Sequence, residues 1–177
     1  MDITTFETFA SHRILQTTIE LDGETYPSLP VKLPPLFCLV VAESGINLFE
    51  LIPLITRKKQ DKLAMFSYRD IEKIVISPIK KLTSVVFALG DRLNLDIILH
   101  LTDGRQFHFE CEDMSMLVQL AASLAAHQVM LIDRFGLIQS YQDATSTKEG
   151  YQFLLEKFSG ISDEQQLVNL RIGQVEE

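Results

Sequence analysis

The stretch LNLDIILHLTDGRQFHFEC, residues 93–111, decides how the chain folds. Leu93, Leu95, Ile97, Leu99 and Leu101 recur at every second position, and beyond a turn Arg105, Phe107, Phe109 and Cys111 do the same. Such alternation marks strands with one buried face. A two-residue Asp-Gly turn would set Leu99 against His108 and mix the apolar and polar faces. A three-residue loop, Thr102-Asp103-Gly104 with the glycine left-handed, pairs Leu101 with Arg105, Leu99 with Phe107, Ile97 with Phe109 and Leu95 with Cys111. The predicted hairpin has this second register.

Upstream the same signal repeats. Strand-like runs cover 36–42, 46–52, two segments within 63–77 (LAMFSY and IEKIVIS), 82–89, 93–101 and 105–111. The connections are too short for crossover helices, so the expected sheet is antiparallel. Glu43-Ser44-Gly45 and Asp22-Gly23 are further turn signals. At the N-terminus, Thr4 and Glu7 have capping-box spacing, with Phe6, Phe9, Ala10 and Ile14 on one helical face. Residues 27–35 hold four of the six prolines and read as an extended connector.

Downstream, Met114, Leu117, Leu120, Ala121, Leu124 and Leu131 trace a helical stripe that opens at Asp113 as candidate N-cap. Ser146 with Glu149 and Ser162 with Gln165 predict two more helices, 147–158 and 163–172, separated at Gly160. The expected organisation is an N-terminal helix, strand and connector (1–35), a main body (36–131, with a strand from 12–21) and a helical extension (132–177).

Seven strands followed by one amphipathic helix form an order with a known likeness. The hairpin LFCLVVAESGINLFELI, the element Phe66-Ser67-Tyr68-Arg69-Asp70-Ile71-Glu72-Lys73-Ile74 and the closing LDIILHLTDGRQFHFECED resemble the pleckstrin-homology superfold, in particular its GRAM and bacterial pleckstrin-homology-like branches. The resemblance spans about residues 12–131. It implies an α+β fold, a seven-stranded antiparallel barrel closed by a C-terminal helix, flanked here by an N-terminal helix and a helical extension. It also implies a binding module for phosphoinositides, peptides or copies of itself, a choice that fold alone does not make.

Charge is unevenly placed. The chain carries −8 overall, yet residues 57–81 hold eight of its sixteen Lys and Arg against three acids, a local +5 that leaves −13 elsewhere. Arg57, Lys58, Lys59 and Lys62 fall in the expected loop between the third and fourth strands, with Lys80 and Lys81 further on. Together they are the candidate site for an anion or an acidic partner. A protein partner or self-association is the first reading, and an anionic phospholipid is the alternative, at about 1 kcal/mol per basic residue near such a surface. Lysines also serve simply as guards on sheet edges.

Other chemistry finds little footing. The helix at 114–130 has no Lys or Arg, which argues against nucleic acid. His108 and Cys111, three apart on a strand, point to opposite faces and make a poor dyad. His100 and His108 share the outer face with Asp96 and Glu110, where a solvated network is expected. The four histidines show no metal-ligand spacing, so no metal, cofactor or catalytic set is predicted and the chain reads as a non-enzyme, an unrecognised enzyme being the third reading, which needs a pocket that collects polar residues from separate strands. Cys38 and Cys111 read as buried free thiols. The N-terminus resembles neither a signal peptide nor a membrane span, so a cytoplasmic protein, free or peripheral at a membrane, is expected. Last, Tyr151, Leu154, Leu155 and Phe158 form one apolar helical face, either packed on its own domain or offered as an assembly surface.

Overall fold

The computed structural model describes residues 3–11, 13–28, 36–52, 55–85 and 88–159, with backbone alone at 55–57, 82–85 and 88–91. The elements run α1 (Ile3–Ala10), β1 (Ile14–Leu21), β2 (Glu24–Tyr26), β3 (Phe37–Ala42), β4 (Gly45–Ile52), β5 (Ile55–Ser67), β6 (Ile71–Val85), β7 (Ala88–Leu101), β8 (Gln106–Cys111), α2 (Leu117–Ala126), β9 (Met130–Asp133), α3 (Leu137–Gln142) and α4 (Thr147–Ser159). All nine strands join one sheet in the order β5-β4-β3-β1-β8-β7-β6-β9, with β2 paired to β1. The fold is α+β.

The expected seven-stranded antiparallel barrel is not what forms. The sheet is mixed: β1 runs parallel to both β3 and β8, and β9 runs parallel to β6. Parallel neighbours need an excursion between them. For β1 and β3 the excursion includes β2, and for β6 and β9 it runs through β7, β8 and α2. The runs 63–77 and 82–89 are also not three separate strands. Residues 71–85 form one 15-residue strand, and the reach from 88 onward belongs to β7, which together make a long hairpin.

The 93–111 register stands as the alternation requires. Leu95 opposes Cys111, Ile97 opposes Phe109 and Leu99 opposes Phe107, while the Leu101 amide donates to the Arg105 carbonyl at 2.9 Å. Gly104 takes φ +87°, the left-handed conformation that closes the loop.

One face of the sheet carries the core. Leu15, Ile19, Phe37, Leu39, Leu48, Phe66, Ile74, Ile76, Leu95, Leu99, Phe107 and Phe109 gather there with Phe6 of α1, Leu117, Leu120 and Leu124 of α2, Leu137 of α3, and Leu154 and Phe158 of α4. The rings of Phe66 and Phe107 lie 5.1 Å apart although their strands, β5 and β8, are four steps apart in the sheet. A flat sheet would separate them by about 19 Å at ~4.8 Å per strand. The sheet is therefore rolled around its apolar face, with β5 and β9 left as edges among the described residues.

The helices follow their sequence signals in part. In α1, Phe6 and Ala10 are buried as the stripe predicts, but the chain turns before Ile14, which starts β1. The stripe at 114–131 supplies a helix only to Ala126. Gln128, at φ +60°, ends it, and Leu131 lies on β9 instead. Asp113 accepts the Ser115 amide at 2.8 Å and so begins a turn ahead of α2. In α4 the Ser146 hydroxyl accepts the Glu149 amide at 3.2 Å, as the capping spacing predicts. α3 was not expected, and its first amides, Leu137 and Ile138, donate to the Asp133 carboxylate. The connector at 29–35 and the helix expected at 163–172 lie outside the described residues.

Candidate functional site

The predicted basic loop is a strand. Lys58, Lys59 and Lys62 lie on β5, the sheet's edge, and residues 58–62 are all exposed. Exposure of five successive strand residues means that both faces and the outer edge are open to solvent. Lys59 pairs with Glu20 at 2.6 Å and sits 5.3 Å over the Phe49 ring. Lys58 and Lys62 make no ion pair among the described residues. Arg57 belongs to the same strand.

Lys80 and Lys81 belong to a different strand. They lie on β6, six places from β5 in the strand order, and Lys81 turns to Glu110 at 2.6 Å. The apolar face of α4 is likewise spoken for. Leu154 and Phe158 are buried in the core, Tyr151 and Leu155 pack against it, and the Tyr151 hydroxyl accepts the Leu93 amide at 3.0 Å. It is packing within the chain, so the assembly surface expected at Tyr151, Leu154, Leu155 and Phe158 is replaced by cis contacts.

The sheet face opposite the core holds a polar network that sequence reading expected to be solvated. Asp96 is 0% exposed, Glu110 and Asn94 2%, Ser77 3% and His100 5%. Asp96 and Glu110 are direct cross-strand partners, as are Ser77 and Asp96. Like charges placed so repel unless each is compensated. Glu110 receives Lys81, Gln16 at 2.7 Å and Asn94 at 2.6 Å, whereas Asp96 receives the Ser77 hydroxyl at 2.9 Å and His108 Nε2. Arg92 completes the row by pairing with Glu112 at 2.5 Å. The alternation of β7 and β8 already put these residues on one face. Their burial depended on β1 and β6 flanking them, and no local pattern shows that.

His100 behaves differently. Its Nε2 is buried without a hydrogen-bond partner, and burial, reinforced by the charge of nearby Lys73, pulls its pKa below the usual histidine value. The cysteines are free and buried. Burial raises both thiols above their ordinary range, Cys111 strongly, so neither resembles an activated nucleophile. Among the described residues no group of three His, Cys, Asp or Glu is placed to hold a metal ion. No described helix is long and apolar enough to cross a membrane.

No protein-family model, curated protein or solved structure matches the chain.

Proposed function

We propose that this protein is a non-catalytic interaction module that docks an acidic, extended segment of a partner protein along β5. The observation that carries this reading is the open edge of a 13-residue strand bearing Lys58, Lys59 and Lys62 on a stretch exposed on every side. Among the described residues β5 pairs with β4 alone, so its other edge can accept main-chain hydrogen bonds from an added strand. The lysines select the sign of that strand. They also argue against β5 pairing with β5 of a second copy, which would place lysines side by side.

An anionic-lipid headgroup is the second reading, favoured by the same three cations. Opposing it is the −13 carried outside residues 57–81, which a flat anionic surface would repel. Two buried free thiols suit a reducing cytoplasm.

The test uses an eight-residue peptide alternating Glu with Val and Thr, its Lys-for-Glu counterpart, and vesicles with and without phosphoinositide. The reading expects the acidic peptide to bind and changing Lys58, Lys59 and Lys62 to Ser to abolish binding. Recruitment by the anionic vesicles alone, lost in the same variant, would replace it with lipid recognition.

A further inference from the structure

Where α1 ends and the sheet begins, a cavity of about 310 Å³ opens between Ala10, Ser11, Arg13, Ile14, Ile98, Gln106 and His108. That volume is at the lower end of the range that small-molecule sites occupy, about 300–1,000 Å³. Among the described residues that line it there is no Asp or Glu, and its polar groups are cationic or neutral. The Arg13 guanidinium rests 4.5 Å over the Phe9 ring, which orients it, and it has no carboxylate partner among the described residues. The Gln106 side-chain amide is similarly uncommitted. Hydrocarbon supplies the rest of the wall, including Ile14, which is 43% exposed.

His108 is held rather than loose. Its Nε2 is bonded to the fully buried Asp96, so Nδ1 is the ring's remaining hydrogen-bonding atom at the cavity. The end of α1 would oppose an anion if its carbonyls pointed bare at the site. They are largely occupied: Glu7 O accepts the Ser11 amide, Thr8 O the Ser11 hydroxyl and Ala10 O the Arg13 amide.

We propose that this cavity binds a small organic carboxylate, its acid group gripped by Arg13 and Gln106 and its hydrocarbon body laid on Ile14 and Ile98. Arg13 offers the planar fork that matches a carboxylate in two parallel hydrogen bonds. His108, held through Nε2 by Asp96, forms part of the wall of the site. The isoleucine wall explains why an organic acid, rather than a bare inorganic anion, is the complement. This site is independent of β5 and stands or falls without it.

Titration of the isotopically labelled full chain with benzoate, benzamide and inorganic phosphate, followed by amide NMR shifts, tests the proposal. Benzoate should produce saturable shifts at Ser11, Gln106 and His108, with benzamide and phosphate at least tenfold weaker. Arg13→Gln, at an exposed position outside the core, should weaken benzoate at least tenfold, and Arg13→Lys should recover only part of the loss. Equal responses to benzoate and benzamide, phosphate as strong as benzoate, no saturable shift at millimolar benzoate, or an indifferent Arg13→Gln variant would each overturn it.

Discussion

Asp96 and Glu110 stand directly opposite each other on β7 and β8, both essentially out of solvent, and each is compensated by a different cation or donor set. Glu110 depends on Lys81, which reaches it from β6, while Asp96 depends on Ser77 and His108. Removing one compensating group leaves a buried charge behind rather than merely deleting a bond.

Lys81→Met is therefore expected to destabilise the fold by about 2 kcal/mol, below the 3–5 typical of fully buried pairs because Lys81 is 30% exposed. The double variant Lys81→Met/Glu110→Gln should recover part of that loss, since a neutral amide is far less costly to bury. Urea denaturation of the wild type, Lys81→Met, Glu110→Gln and the double variant measures this, and additive effects would contradict the coupling.

His100 gives the protein a pH dependence of definite sign. Its folded pKa lies below the unfolded value of 6.5, because burial and Lys73 disfavour the imidazolium. As pH falls from 7 through 6.5 and on toward the folded pKa, the unfolded chain takes up the proton first, so stability declines with acidification in that window. His100→Asn should flatten this part of the stability profile, measured by denaturation between pH 5 and 7.5. An unchanged slope would assign the acid sensitivity to other groups.

Leu154→Ala and Phe158→Ala distinguish a helix packed on its own core from one kept for assembly. Both residues are buried among α3, α4 and the sheet. Each truncation should cost about 2–5 kcal/mol, read as a lowered thermal midpoint with no change in association state. Dissociation of an oligomer without loss of monomer stability would point the other way.

Gly45 has no room for a side chain. At φ +147°, a Cβ there would meet the Phe66 carbonyl oxygen at 2.3 Å. Gly45→Ala should therefore force β4 and β5 apart and cost upward of about 2 kcal/mol. Near-wild-type stability by calorimetry would mean that the pair separates without penalty.

Local signals carried the 93–111 hairpin well because the apolar face of each strand admits one register and Gly104 closes it. They carried α4 equally well through Ser146 and Glu149. What they could not carry was pairing between distant segments. Nothing in ILQTTIEL announces that it will lie between β3 and β8, parallel to both, and so β1 escaped the antiparallel expectation. The same gap hid the polar network, since Gln16 and Lys81 reach Glu110 from strands far away in sequence. Lys58 to Lys62 were visible as charge, but their meaning changed with their setting, from a loop to the rim of an edge strand.

The most direct measurement is hydrogen–deuterium exchange of the β5 amides with and without the acidic Glu/Val/Thr peptide. Docking along the open edge predicts that the outward-facing amides between Lys58 and Met65 slow by at least tenfold on binding, and that the lysine-to-serine variant shows no such slowing. Binding that leaves those amides unprotected, or protection that survives loss of the three lysines, would contradict the assignment of β5 as the docking strand.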